Sequence, residues 1–489
     1  MTEVLKAAAE RAIRYLTGLE HRPVAPAAEA IARLAALADP LPDESTDPAA
    51  VLALLDEIGS PATVASAGGR YFGFVVGGSL PAALAANWLA GAWDQNAGLV
   101  SLSPVAAALE EIALGWLLDV LGLPAGSGGG FVTGATMANL TALAAARHAV
   151  LARAGWDVEA DGLFGAPPVT VVVGDEVHVS LLKALTLLGL GRDRVVRVPV
   201  DAQGRMRADA VPAPAGPTIV CIQAGNVNTG AFDPAHEICA RARDGGAWVH
   251  VDGAFGLWAA AAPSRAHLVR GMSDADSWAL DAHKWLNVPY DNGVAMVRDP
   301  AVLRAAMSTS ASYLVQGEAR EPYQFTPEMS RRARGVEIWA ALRALGRSGL
   351  AGLIDGSCRH AARLADGLSA AGYRVLNEVV LNQVLVSFGD DAATRRVIAA
   401  IQAEGTAWCG GTVWQGHTAM RISVSSWATT EEDIERSLRA VLRIAGARPA
   451  IRVTEGRGQG DPSEPPNFAP TLDVSNRVPC ASLQRRDIL

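Results

Sequence analysis

Along residues 1–60 the apolar positions recur at helical spacing and are interrupted twice, by HRPVAP and by DPLPDESTDP. This spacing predicts two or three helices joined by proline-marked turns. Such an arm has too little apolar surface to fold alone and is expected to lie against the main body or a second subunit. Residues 84–121 are helical in pattern again. The character changes at LPAGSGGGFVTGATMANLTALAAARHAVLA, where a glycine cluster leads into a short apolar strand, a polar turn and a long Ala/Leu helix.

Apolar runs of strand length follow: VTVVVG (169–174), RVVRVPV (194–200), TIVCIQAG (218–225) and AWVHVD (247–252), separated by helix-compatible segments. Their alternation predicts a mostly parallel sheet covered by helices on both faces, with active residues at the carboxyl ends of the strands. After residue 307 a polar loop precedes a long helix through RRARGVEIWAALRAL. A smaller α+β pattern comes next, with strands near YRVLNE, NQVLVSFGD and MRISVSS and helices over 393–404 and 431–442. The closing segment is rich in Gly, Pro and polar residues and reads as a disordered tail. The expected division is therefore an N-terminal helical arm with a substrate-loop segment (1–83), a large α/β domain (84–345), a small C-terminal α+β domain (346–450) and a tail (451–489).

Composition narrows the class. Among 489 residues half are hydrophobic and 19% charged, the pattern of an Ala-rich globular protein. A net charge of -8 and a pI near 5.7 give no general attraction to nucleic acid or to an anionic membrane. The five cysteines are odd in number, scattered and without a C-x-x-C pair, which argues against a disulfide framework or a metal site and for a cytoplasmic setting. The N-terminus lacks the apolar core of a secretory leader. Residues 72–93 are uncharged over about the length of a bilayer span, but they contain Gly73, Gly77, Gly78, Pro81 and Asn87, so a buried helix or a subunit interface is the expectation.

Four local patterns carry candidate chemistry. In ALDAHKWLN, Lys284 stands beside His283 and Trp285 in an apolar setting, where desolvation makes an amine nucleophilic toward an aldehyde. A lysine whose stem packs on Trp285 while its ammonium reaches water fits the same letters. Asp252, at the end of WVHVD, can pair with a protonated pyridine nitrogen or cap the next helix. FVTGATMAN places Thr133 and Thr136 at a strand-to-helix turn able to bind an anion, although it is neither a Walker A nor a G-x-G-x-x-G sequence. His178, just past a strand, can stack on a planar ring or serve as an ordinary satisfied polar group.

In order, GATMAN, His178, VHVDGAFG and AHKW resemble the group II pyridoxal-dependent amino-acid decarboxylases, whose members act on aromatic amino acids, glutamate and histidine, and the likeness spans about residues 71–440. The resemblance implies pyridoxal-5′-phosphate (PLP) fold type I, with the cofactor carried as a Schiff base on Lys284, its pyridine nitrogen paired with Asp252 and its ring between His178 and Ala254. Ala135, Thr136 and His283 would hold the phosphate. Asn228 or Thr229, in CIQAGNVNTGAFDP, would touch the cofactor, and Arg421 would lie near the substrate carboxylate. Tyr71 and Phe72, with Phe74, would line the side-chain pocket. The loop before RR-x-R offers Tyr323, then Tyr313, as donor of the proton to Cα. In the phosphate turn Met137 stands where the family pattern has an acidic residue. The implied reaction is decarboxylation of a small amino acid to an amine and CO2 by a homodimer. Transamination, aldehyde formation, carbon–carbon lysis or a non-catalytic scaffold on the same fold are the alternatives.

Overall fold

The computed structural model describes residues 1–309 and 320–446. Among them, seven strands form one sheet in the order β1-β7-β6-β5-β4-β2-β3: β1 (Gly128–Val132), β2 (Thr170–Gly174), β3 (Val196–Val198), β4 (Thr218–Gln223), β5 (Trp248–Asp252), β6 (Ser277–Asp281) and β7 (Gly293–Val297). β7 runs antiparallel to both β1 and β6, while the pairs from β6 through β3 are parallel. Every residue of β1, β4, β5, β6 and β7 is buried, as expected for a sheet covered on both faces. The apolar runs gave β2, β4 and β5 nearly residue for residue. β3 is shorter than its run because Pro199 has no N–H to extend a ladder.

One face of this sheet carries the helix Ala135–Arg153, twelve of whose nineteen residues are buried. Trp258, Trp278 and Trp285 lie fully inside the core, and their indole N–H groups donate to Asp281 O, Met272 O and Ser357 Oγ. The expected arm is present as Thr2–Gly18 and shorter helices, with no residue of Thr2–Gly18 buried. The uncharged stretch resolves into a loop and the helix Pro81–Trp93, and among the described residues no helix is long and apolar enough to cross a membrane.

A second, antiparallel sheet follows, in the order β10-β11-β9-β8: β8 (Arg374–Val375), β9 (Gln383–Ser387), β10 (Gly410–Trp414) and β11 (His417–Ser423). It is packed by the helices Asp391–Glu404 and Glu431–Gly446. The long helix Gly335–Ala370 joins the two sheets. Gly346, at φ 59° and ψ −177°, interrupts it beside the expected 345/346 division, yet the packing changes later, because Leu350, Ile354 and Cys358 join the large core and Ala361, Leu364 and Leu368 the small one. Phe72, expected in a substrate pocket, turns its ring into that small core. The expected tail, 451–489, lies outside the described residues.

A buried ionic cluster ties the helix Pro104–Val120 and the segment before the long helix to the edge of the large sheet. Glu110 accepts from Arg331 at 2.8 Å and from Arg320 at 3.3 Å, and Arg331 also donates to Phe131 O on β1 at 2.6 Å. The side chains of Glu110 and Arg331 are 2% and 0% exposed, so neither charge has water as an alternative partner. Removing one member strands the other, which typically costs about 3–5 kcal/mol. Glu110→Ala is therefore expected to lower the unfolding free energy by about that amount in urea titration; an unchanged midpoint would show that the cluster does not hold this edge.

Candidate active site

Because β1 and β6 are both antiparallel to β7, the carboxyl ends of β1, β6, β5, β4 and β2 all open on one edge of the sheet. Each chemical pattern read from the sequence hangs from one of those ends. Reading across the sheet, they are the turn after β1, Lys284 three residues past β6, Asp252 at the tip of β5, Asn228 past β4 and His178 past β2.

Lys284 Nζ lies 2.8 Å from Asp281 Oδ2, and the two side chains are 18% and 3% exposed. The same carboxylate accepts the Ala135 N–H on Oδ1 at 2.5 Å, so it joins the end of β6 to the first turn of the helix after β1. Gly293 permits this closeness, since a Cβ there would stand 2.5 Å from Gly134 Cα. Gly134 caps the helix without a side chain, and past Ala135 the amides of Thr136 and Met137 lack intrahelical acceptors by helical geometry. His283 stacks on Tyr290 at 4.3 Å and accepts the Asn292 N–H on Nδ1, which leaves the proton on Nε2. Burial above all holds His283 below its usual pKa.

Asp252 accepts from Ala254 N–H at 3.2 Å and from Asn139 Nδ2 at 3.3 Å, and retains lone pairs for a further donor. His178 caps the helix Val179–Leu187: its Nδ1 accepts from Ser180 N–H at 3.2 Å and lies 2.7 Å from Ser180 Oγ, so Nε2 carries the proton. Burial is the main cause holding His178 below 6.5; Asp252 opposes it, and Lys284 and Arg421 reinforce it, which places all four groups in one electrostatic neighbourhood. Arg421, on β11, is pushed down to about 10 by burial and donates to Val227 O at 3.4 Å; among the described residues it has no carboxylate partner.

Tyr71 stacks on Trp408 at 5.1 Å and Phe74 on the same ring at 5.6 Å. Gly73 makes room for this, because its Cβ would fall 2.2 Å from the Trp408 ring. The Tyr71 phenol is pushed up to about 12 by burial, against the pull of Arg421. Asn228 accepts from Thr412 Oγ1, and Thr229 donates its hydroxyl to Gln203 O, so these two side chains brace the loop after β4. Tyr323 is buried with its N–H donating to Gly98 O and its hydroxyl hydrogen-bonded to nothing among the described residues, Lys284 and Asp252 included. Tyr313 lies outside the described residues. Asp281 and Asn139, absent from the expected site, were visible only as neighbours in the AHKW and GATMAN motifs.

These groups suit PLP. An amine can bind its aldehyde, a carboxylate can pair with its ring nitrogen, an uncapped helix start can take its phosphate, and a fixed imidazole can lie against its ring. The chain matches the pyridoxal-dependent decarboxylase conserved domain over residues 63–389. It is 32% identical over 440 residues to the L-2,4-diaminobutyrate decarboxylase of Rhizobium meliloti (strain 1021), covering 83% of this chain and 84% of that one. It is 29% identical over 406 residues to tryptophan decarboxylase 1 of Oryza sativa subsp. japonica, covering 75% and 78%. The crystal structure of Oryza sativa TDC with PLP and tryptamine shares the fold, with a TM-score of 0.84 at 24% identity over 91% of this chain and 97% of that one. The chain thus belongs to the pyridoxal-dependent decarboxylase family, with the α/β architecture of PLP fold type I, and is a PLP-dependent amino-acid carboxy-lyase.

Proposed function

We propose that Lys284 is the residue that holds the cofactor, that Asp252 pairs with its ring nitrogen, and that His178 and Ala254 flank its ring. The observation that carries this reading is the convergence of Lys284, Asp252 and His178 at the strand ends, with Asp252 buried and Lys284 and His178 half-buried, Lys284 held by an ion pair and the other two by hydrogen bonds. When bound, PLP supplies an electron sink for the bond from Cα to the carboxylate. Asp281 orients Lys284 Nζ toward the site. The free amides of the first helical turn, with the Thr136 hydroxyl and His283 Nε2–H, hold the phosphate. Arg421, which has no carboxylate partner among the described residues, is placed to bind an anionic group of the amino acid, and Tyr71 with Phe74 and Trp408 offers an aromatic wall to its side chain.

The amine is the proposed product. Its formation requires a proton at Cα, and Lys284 Nζ and His178 Nε2 are among the proton-bearing atoms the described site offers. The position of Tyr323 gives no support to its phenol as the donor. A homodimer is supported by the exposed Trp88, Leu89 and Trp93 on the helix Pro81–Trp93, and a cytoplasmic setting by the buried free thiols of Cys221, Cys239, Cys358 and Cys409.

Lys284→Ala is expected to abolish the visible absorbance band of the reconstituted enzyme and to lower CO2 release at least about 10³-fold across a panel of amino acids. A persistent band with normal turnover would remove Lys284 from the centre. Tyr323→Phe deletes a buried hydroxyl that has no partner, a group whose burial costs about 1–3 kcal/mol, so the variant should match or exceed the parent in melting temperature. It should also keep its amine yield; a switch from amine to aldehyde would instead put that phenol on the proton path.

The site histidines give a pH signature. His178 and His283 lie below 6.5 and His250 at about 3, in each case chiefly through burial, so below 6.5 the unfolded chain binds protons that the folded chain refuses. Stability is therefore intact above that pH and declines as pH falls toward the folded values, by up to about 1.4 kcal/mol per pH unit for each histidine. Melting curves of the apoprotein between pH 7.5 and pH 5 should show the decline; a flat profile would contradict it.

A further inference from the structure

Asp252 is the last link of a buried hydrogen-bond chain that begins at Trp248. On β5, Trp248, His250 and Asp252 alternate onto one face, and His250 is paired in register with Ser277 of β6. Trp248 Nε1 lies 2.9 Å from Ser277 Oγ, Ser277 Oγ lies 2.8 Å from His250 Nδ1, His250 Nε2 lies 2.8 Å from Asn139 Oδ1, and Asn139 Nδ2 lies 3.3 Å from Asp252 Oδ2. His250, Ser277 and Asn139 are fully buried, so no water competes for these contacts.

The direction of the chain is fixed by its ends. An indole N–H can only donate and an ionised carboxylate can only accept. Ser277 therefore accepts from Trp248 and spends its one proton on His250 Nδ1. His250 is then the neutral tautomer with its proton on Nε2, which it donates to Asn139 Oδ1, and Asn139 turns its amide N–H to Asp252. The reverse orientation of Asn139 would set a carbonyl oxygen against the carboxylate. Burial, which drives His250 toward its neutral form, agrees with this assignment.

We propose that Asn139, His250 and Ser277 are positioning residues that hold Asp252 ionised and aimed, so that it can keep a cofactor ring nitrogen protonated. The inference rests on the pairing of Asp252 with that nitrogen. Each member acts through the next, and only Asp252 reaches the ring. Without the amide donor, the buried carboxylate loses one of its two protein hydrogen bonds, and its charged form is correspondingly less favoured.

The test uses the full-length enzyme reconstituted with nitrogen-15-labelled PLP. Its readouts are the ring-nitrogen chemical shift and the PLP dissociation constant, with apoprotein melting as a check on folding. The parent should show a protonated ring nitrogen. Asn139→Leu, close in volume and apolar, and His250→Phe should both move the signal toward the unprotonated ring and weaken PLP binding roughly ten- to a hundredfold. His250→Gln should restore both, because its amide can accept from Ser277 and donate to Asn139. Unchanged signals in Asn139→Leu and His250→Phe, alongside a shifted signal in Asp252→Asn, would overturn the relay and leave the Asp252 pairing standing. No shift in Asp252→Asn would overturn the pairing and the relay together. If Asn139→Leu and His250→Phe fail to fold, Ser277→Ala decides: a smaller displacement of the signal in the same direction supports the relay, and none overturns it.

Discussion

An ammonium cannot be withdrawn from water without a counter-charge. The contact between Lys284 and Asp281 supplies one, and much of the site is arranged around it. Asp281 ends β6, takes the first amide of the helix that follows β1 and lies 3.5 Å from His283. One carboxylate thus links the amine, the first turn of the helix after β1 and the imidazole beside it. This requires β1 and β6 to end at the same edge, which the antiparallel β7 between them makes possible.

The surroundings of the site are held by a network of buried and half-buried polar groups. Glu337 accepts from Asn87, Asn292 and Arg332, and Asn292 in turn donates its backbone N–H to His283. Arg334 donates to Asp291 in the same loop. The RR-x-R helix start thereby clamps the segment carrying His283 and Lys284. A buried network of this kind specifies geometry more than it adds stability, because each member was desolvated to enter it. The chain from Trp248 to Asp252 follows the same logic on the opposite side of the lysine.

The parts of the fold legible in the letters are those with a local cause. Apolar runs rich in β-branched residues gave β2, β4 and β5, and proline-marked breaks gave the segmented arm. β6 and β7, five residues each like β2 and β5, were not read from the letters; pairing with their neighbours makes them strands. Lys284, Asp252 and His178 were each ambiguous alone, since a snorkelling lysine, a capping aspartate and a satisfied histidine fit the same letters. His178 does cap a helix, with Nδ1, and that hydrogen bond is what fixes Nε2–H toward the site.

By itself the sequence determined the class of sheet, the order of the motifs and the family, because hydrophobic period and motif order are properties of the chain in one dimension. It could not show that Phe72 serves the smaller core, that Thr229 spends its hydroxyl on Gln203, or that the buried Tyr323 hydroxyl has no hydrogen-bond partner among the described residues. Nor could it show that Asp281 and Asn139, unremarkable in their motifs, hold the two charged groups of the centre. The contacts of Ala135 with Asp281 and of Asn139 with Asp252 and His250 join residues more than a hundred positions apart, and only the packed sheet with its covering helix decides who meets whom.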